Sequence, residues 1–207
     1  MATQSALLIV DVQKDFCAGG ALEVPSGDRV VEPLNRLADA FTRSDRPVYA
    51  SRDWHPAESH HFATYGGAWP MHCVADTRGA EFHDGLELPD DVILITKGQS
   101  VSDDGYSAFQ GRTPSQVSFE ADLRQREVTH LYVGGLATDY CVRHSVLDAR
   151  RAGLEVSVAV DAVAGVNLTD GDSSLALDEM RAAGARLTRV SEMLRVGGTQ
   201  PPTDAAN

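Results

Sequence analysis

The chain has 207 residues, about the size of one domain, and a formal net charge of −12 at pH 7. The excess of carboxylates repels phosphate backbones and anionic membrane surfaces, so neither nucleic acid nor a membrane is an expected partner. Hydrophobic residues make up 43% and charged residues 23%, which is typical of a folded globular protein and excludes a disordered one.

Short β-branched segments alternate with helical patterns, which predicts an α/β fold with a parallel sheet and crossover helices. The predicted strands are residues 6–10, 47–51, 92–96, 131–133, 156–160 and 187–190. The predicted helices are residues 28–44, a short helix around Phe119 and Leu123, one from Thr138 to Gly153, and one around Leu177 and Met180 that ends at Gly184.

We expect one domain over residues 1–196, followed by a flexible C-terminal tail at 197–207. Two connections, 52–91 and 98–118, are long for a compact α/β unit. Such connections are usually functional or disordered, and the aromatic residues in these two favour function.

Cysteine use indicates a reducing compartment. The chain has an odd number of cysteines, and their spacing is not that of a metal-binding ribbon: they are Cys17, Cys73 and Cys141. Neither a signal-peptide pattern nor an apolar segment of about 18 residues is present. We therefore expect a cytoplasmic protein with reduced thiols.

Reactive side chains follow four consecutive predicted strands. Asp11, Asp53, Lys97 and Cys141 come at or just after the ends of the first four strands. In open parallel sheets, ligands bind outside the carboxyl ends of the strands. Cys141, Asp11 and Lys97 are therefore candidates for a nucleophile, a base and an electrostatic partner.

Cys141 is the candidate nucleophile. With Thr138 as N-cap, Cys141 lies in the first turn of its predicted helix, where the helix dipole favours a thiolate and lowers the thiol pKa below about 8.5. The alternative is a buried, inert cysteine.

Histidines are concentrated in the first long connection. Asp53 and His55 are two residues apart. In an extended chain this spacing places both side chains on one side, about 7 Å apart. Five of the seven histidines occur between residues 55 and 83: His55, His60, His61, His72 and His83. Carboxylate and imidazole ligands suit Zn, Fe or Mn, whereas surface histidines in a polar loop are the alternative.

Five stretches of the chain resemble the nicotinamidase/pyrazinamidase branch of the isochorismatase-like cysteine hydrolases. They are LLIVDVQKDFCAGGALEV (7–24), SRDWHPAESHHF (51–62), WPMHCVADTRGAEFH (69–83), ITKGQSVSDDGYSAF (95–109) and VGGLATDYCVRHSVLDARRAG (133–153). The resemblance implies a three-layer α-β-α fold with a central, mostly parallel sheet. It also implies deamidation of nicotinamide and pyrazinamide through a cysteine thioester, as part of pyridine nucleotide salvage.

The resemblance also implies roles for individual residues. The catalytic triad would be Asp11, Lys97 and Cys141, and a cis peptide at Leu136–Ala137 would direct the backbone N–H groups of Ala137 and Cys141 at an oxyanion. Phe16, Trp69 and Tyr106 would surround the substrate ring.

One divalent metal ion (Zn, Fe or Mn) is the implied cofactor. Asp53, His55 and His72 would bind it, and either His61 or water would complete the shell, with His60 as a bystander. The implied partner is a small amide substrate, and a homo-oligomer is compatible with the sequence.

Three other functions stay open at this point. A sister cysteine hydrolase would act on another small amide, such as an N-carbamoyl or maleamate-like compound. A metal-activated water would hydrolyse the substrate with Cys141 as a bystander. A non-catalytic binding protein would keep the ring pocket without needing Asp11, Lys97 and Cys141 together.

Overall fold

Residues 4–197 of the chain are described by a computed structural model. Six strands lie within this range: β1 (Gln4–Val10), β2 (Val48–Asp53), β3 (Ile93–Lys97), β4 (Val128–Leu136), β5 (Glu155–Ala164) and β6 (Arg186–Thr188). They form one sheet in the order β3-β2-β1-β4-β5-β6, and every pairing between them is parallel. The predicted α/β class and the parallel sheet are thus confirmed.

Five α-helices cover the two faces of the sheet. They are α1 (Val31–Arg43), α2 (Phe119–Gln125), α3 (Arg143–Arg151), α4 (Asp172–Ala182) and α5 (Val190–Gly197). Apolar side chains of α1 and α5 pack on one face, and those of α2, α3 and α4 pack on the other. This arrangement is the three-layer architecture that the resemblance implies.

Strand β1 shows why the central strands read as continuous apolar segments. Leu7 and Ile9 pack toward α1, whereas Leu8 and Val10 pack toward α2 and α3. Successive side chains of a strand point to opposite faces, so a strand covered on both sides needs apolar residues at every position.

The C-terminal part differs from the prediction. Strand β6 ends at Thr188, and helix α5 follows where the sequence analysis placed the end of a strand and no helix. The backbone N–H of Val190 donates to Asp161 Oδ1 at 2.9 Å, and Met193 is buried beside it. Val190 and Met193, three residues apart on α5, both pack in the hydrophobic core, and Leu194 contacts the same core.

The predicted N-cap at Thr138 is wrong. A π-helical turn at Thr138–Val142 precedes α3, and its N-cap residue Ala137 makes no side-chain capping bond. Helix α1, by contrast, begins after a 3-10 turn at Gly27–Val30, so Pro33 falls in its first turn as a proline in a helix should.

Both long connections are ordered and contain short 3-10 turns: Ala63–Tyr65, Arg78–Ala80 and Ala108–Gln110. The predicted domain boundary at 196 stays a prediction, and residues 198–207 of the predicted tail lie outside the described residues. Gly197, placed in that tail by the sequence analysis, instead ends α5. Within residues 4–197, no helix has the length and apolarity needed to cross a membrane.

Gly135 allows β4 to lie directly beside β1. Its φ is +125°, and a Cβ atom there would come within 2.1 Å of the Val10 carbonyl oxygen. We expect Gly135→Ala to lower the free energy of unfolding by about 3 kcal/mol or more, because the new methyl group meets backbone that cannot move aside.

Urea unfolding followed by circular dichroism measures this loss of stability, and Gly153→Ala is the matched control. Gly153 also has a positive φ, +86°, but its Cβ would meet no atom within 4 Å. Gly153→Ala should therefore lower the free energy of unfolding by only about 1 kcal/mol. Equal unfolding midpoints for the two variants would contradict the close contact.

Candidate active site

Four functional side chains meet at the carboxyl edge of the sheet. Asp11 follows β1, Asp53 is the last residue of β2, and Lys97 is the last residue of β3. Cys141 lies in the π-helical turn that follows β4. The structure thus brings together the residues that the sequence analysis placed at consecutive strand ends, and all four are buried.

Lys97 is at the centre of this group. Its ammonium nitrogen lies 2.7 Å from Asp11 Oδ2 and 2.5 Å from Asp53 Oδ1, and it donates to the Gly105 carbonyl oxygen. The same nitrogen is 3.6 Å from Cys141 Sγ. Burial alone would lower the pKa of Lys97, but the two carboxylates hold it well above its usual value. Lys97 is therefore a fixed positive charge.

Both oxygens of the Asp11 carboxylate have a close partner. Its Oδ1 accepts a hydrogen bond from Ser51 Oγ at 2.7 Å, and its Oδ2 contacts Lys97. Burial raises the pKa of Asp11 to about 6 against the opposing influence of Lys97. A carboxyl group of this pKa can accept and return a proton near neutral pH.

The Cys141 thiol is held in its protonated form. Burial raises its pKa well above the usual value, and Asp11 and Asp53 add to that rise while Lys97 opposes it. The expectation that a helix dipole lowers this pKa is therefore wrong in direction. Burial outweighs the dipole, and the residue lies in a π turn ahead of α3.

Three histidines form a second cluster beside this network. Nitrogen atoms of His55, His61 and His72 lie within 4.8 Å of one another, and all three side chains are buried. His60 is exposed, as expected of a bystander, and His83 instead contacts Asp28 at 3.1 Å. His55, His61 and His72 are thus buried although they lie in a connection between strands.

Hydrogen bonding in this cluster fits a metal ion. Both ring nitrogens of buried His55 have no hydrogen-bond partner among the described residues, which is costly unless another group satisfies them. His72 Nδ1 lies 2.7 Å from the Pro70 carbonyl oxygen, so Nδ1 carries the proton and Nε2 presents its lone pair. Imidazole nitrogens beside a carboxylate suit Zn, Fe or Mn.

Asp53 connects the two clusters. Its Oδ1 contacts Lys97, and its Oδ2 lies 3.8 Å from His55 Nε2. Burial would raise its pKa, but Lys97 and His55 outweigh burial and lower it. Asp53 is therefore a carboxylate at neutral pH, available as a metal ligand. Gln13 fixes its backbone through two hydrogen bonds of 2.8 Å, one accepted from the Asp53 N–H and one donated to its carbonyl oxygen.

A narrow pocket with aromatic walls leads to Cys141. The three predicted wall residues Phe16, Trp69 and Tyr106 line it, together with Tyr140. Trp69 Nε1 donates to Tyr106 Oη at 2.9 Å, which joins the two long connections across the pocket. A flat, largely apolar ring is the kind of ligand that such walls accommodate.

The backbone between β4 and Cys141 also follows the expectation. The Leu136–Ala137 peptide bond is cis, and Ala137 lines the pocket beside Cys141.

Sequence reasoning missed Ser51, Gln13, Gly105 and Tyr140. Ser51 had a local signal, because it lies two residues before Asp53 in β2 and so faces the same side of the sheet. Gln13 and Gly105 had no local signal in the sequence, since their partners are 40 and 8 residues away.

Cys17 and Cys73 are buried free cysteines, and burial raises the pKa of Cys17 to about 12.

The family model for the isochorismatase domain matches residues 5–192. The chain belongs to this family. It is 43% identical over 204 residues to the nicotinamidase of Escherichia coli K12, a match that covers 90% of this chain and 95% of the relative.

Solved structures of similar proteins share the fold. A pyrazinamidase of Pyrococcus horikoshii in complex with zinc is 39% identical with a TM-score of 0.82, and the match covers 90% of this chain and 99% of that one. The PnC1 protein of L. infantum in complex with nicotinate is 33% identical with a TM-score of 0.79, over 92% and 95% of the two chains.

The histidine cluster generates a prediction about metal content. We expect His55→Ala to bind much less zinc per chain than the unchanged protein, because it removes a buried imidazole whose ring nitrogens have no hydrogen-bond partner among the described residues. His60→Ala is the matched control, since His60 is exposed and outside the cluster. Inductively coupled plasma mass spectrometry after gel filtration measures both. Equal zinc content in the two variants would contradict the site.

His61→Ala in the same measurement tests whether His61 is the fourth ligand of the metal ion. Loss of zinc affinity would identify His61 as a ligand. Unchanged affinity would leave that position to water.

Proposed function

We propose that this protein hydrolyses nicotinamide, and pyrazinamide, to the corresponding carboxylate and ammonia through a thioester on Cys141. The observation that carries this proposal is the buried contact network of Lys97 with Asp11 and Cys141 at the end of an aromatic-walled pocket. Relatives named nicotinamidase and pyrazinamidase, and a nicotinate complex of a similar structure, support the choice of substrate.

The first step forms the thioester. Asp11 accepts the Cys141 proton as Sγ attacks the carboxamide carbon, and the carbonyl oxygen becomes an oxyanion. Backbone N–H groups of Ala137 and Cys141 stabilise this oxyanion. The C–N bond then breaks, Asp11 returns the proton to the leaving nitrogen, and ammonia departs.

The second step hydrolyses the thioester. Asp11, again a carboxylate, takes a proton from a water molecule whose oxygen attacks the thioester carbon. The C–S bond breaks, the sulfur regains a proton from Asp11, and the carboxylic acid product ionises and leaves. One water is consumed for each ammonia released.

Lys97 supports proton transfer without titrating. While Asp11 is charged, Lys97 offsets the repulsion between the Asp11 and Asp53 carboxylates. When the proton moves from sulfur to Asp11, the negative charge moves to sulfur, which lies 3.6 Å from the same ammonium nitrogen. The positive charge therefore stabilises the states before and after transfer.

Asp53, His55, His72 and His61 would hold the divalent metal ion. When bound, such an ion supplies a Lewis acid that can take the pyridine nitrogen of the substrate. Phe16 and Trp69 then orient the ring by contact with its faces, which directs the carboxamide toward Cys141.

A sister hydrolase acting on an N-carbamoyl or maleamate-like amide is the second candidate. The aromatic walls beside an imidazole cluster favour nicotinamide, because an aliphatic amide needs neither a ring surface nor a ligand for a ring nitrogen. A cytoplasmic location, a role in pyridine nucleotide salvage and homo-oligomer formation are further predictions.

The nucleophile is tested with Cys141→Ala. We expect ammonia release from nicotinamide to fall by roughly 10³-fold or more, because Cys141 is the one cysteine among the described residues that line the pocket. Cys17→Ala is the control, since Cys17 is also buried but lies outside the pocket residues around Cys141. A coupled ammonia assay at saturating substrate measures both variants.

Three outcomes of the same assay would contradict the proposal. Substantial activity in Cys141→Ala would exclude a cysteine nucleophile. Activity of the unchanged enzyme that survives iodoacetamide but not a chelator would point to a metal-activated water. Equal rates on nicotinamide and on an aliphatic amide would overturn the substrate.

The pH dependence is tested through Asp11 and Ser51. Asp11 acts as a base only when ionised, so kcat/KM should fall as the pH drops through about 6, the pKa that burial gives this group. Ser51→Ala removes a hydrogen bond to the carboxylate form, which raises that pKa. We expect the acid limb to move about one unit toward higher pH.

Ser157→Ala is the control for this shift, because Ser157 is a buried strand serine bonded to His130 rather than to Asp11. Profiles of kcat/KM for the three proteins would contradict the assignment of Asp11 if the two variants had the same acid limb.

A further inference from the structure

A second polar cavity lies at the opposite edge of the sheet from Cys141. It has a volume of about 400 Å³ and lies where β1, β4, β5 and β6 begin. Strands β1 and β4 start beside it, and their other ends lie directly before Asp11 and Ala137. The cavity therefore shares no residue with the pocket around Cys141.

The sheet face below this cavity is unusually polar. Ser5, Tyr132 and Ser157 are each at most 5% exposed and line the cavity. The register places them side by side, because Tyr132 pairs with Ser157 and Ser5 pairs with His130. Parallel strands covered on both faces are normally apolar, so polar residues on three adjacent strands indicate a solvated or ligand-filled space.

Two arginines reach this cavity without a carboxylate partner. Within residues 4–197, neither Arg46 nor Arg186 makes an ion pair or a hydrogen bond through its guanidinium group. Arg46 instead lies over the Phe41 ring, 5.8 Å from its centroid. The Tyr132 hydroxyl likewise has no hydrogen-bond partner among these residues. Three donors thus face one space with no acceptor assigned to them.

The two glutamates of the cavity have other surroundings. Glu192 accepts a hydrogen bond from the Thr188 hydroxyl, and the Glu155 side chain is 74% exposed and 3.8 Å from His130. Burial raises the pKa of Tyr132, and Arg46 and Arg186 each oppose that rise more than Glu155 adds to it. Arg46 and Arg186 thus influence the Tyr132 hydroxyl more than Glu155 does, and both glutamates of the cavity are exposed.

We propose that this cavity is a binding site for a small anion, a carboxylate or a phosphate, held between Arg46 and Arg186 with a hydrogen bond from the Tyr132 hydroxyl. Guanidinium groups bind both kinds of anion through paired N–H donors. The volume admits a metabolite and not a macromolecule, and the glutamates at the rim repel polyanions.

Isothermal titration calorimetry with inorganic phosphate, and separately with acetate, tests this site at matched ionic strength. We expect binding to the unchanged protein by at least one of the two anions, and at least about tenfold weaker binding for Arg46→Gln and for Arg186→Gln. Arg195→Gln is the charge-matched control, because Arg195 is exposed on α5 and does not line the cavity. It should bind as the unchanged protein does.

Tyr132→Phe provides a second variant that keeps the aromatic packing on Phe41 and removes only the hydroxyl. It should also weaken binding of the same anion, while its thermal midpoint in chloride buffer shows that it is folded. Phosphate binding without acetate binding would identify a phosphate site, and the converse a carboxylate site. Binding of neither anion, or binding that is equal in the arginine variants and in Arg195→Gln, would overturn the proposal.

Discussion

The buried ammonium of Lys97 is the interaction on which the site depends. Removing an isolated ammonium group from water costs several kcal/mol, and only close opposite charges and hydrogen bonds offset that cost. Asp11, Asp53 and the Gly105 carbonyl oxygen all lie within 2.7 Å of its nitrogen. Because these partners come from two strand ends and a connection, the position of Lys97 at the end of β3 and the geometry of the sheet edge depend on each other.

Burial and the charges around Lys97 together explain the state of the nucleophile. Burial raises the pKa of the Cys141 thiol, Asp11 and Asp53 add to that rise and Lys97 opposes it, so the thiol keeps its proton at rest. A resting thiolate would be more exposed to oxidation and alkylation. In the proposed mechanism the thiol is deprotonated only as the carbonyl carbon accepts the sulfur, when Asp11 takes the proton.

Asp53 makes the two halves of the site a single unit. One of its oxygens contacts Lys97 and the other faces His55, and Gln13 holds its backbone on both sides. A change at the histidine cluster therefore alters the partner of Lys97, and through Lys97 the environment of Asp11 and Cys141. The coupling is short and electrostatic, and it needs no movement of the chain.

Local patterns in the sequence were sufficient for the strands, most of the helices and the positions of Asp11, Asp53, Lys97 and Cys141. Period-two and period-3.6 patterns are properties of neighbouring residues, and a parallel sheet brings its strand ends to one edge without further information. Helix α5 and the π turn escaped this reasoning, because α5 depends on its packing against the core and on the bond from Val190 to Asp161.

Charge state and pairing were decided only by the tertiary structure. The sequence by itself determined the class of fold, the edge of the sheet that carries the reactive groups and the residue types available there. It could not give the direction of the Cys141 pKa, the bond from Ser51 to Asp11 or the polar cavity beside Tyr132. The first two depend on burial and on partners 40 and 44 residues away, and the cavity is formed by residues from Ser5 to Met193. Burial is a property of the whole packed molecule.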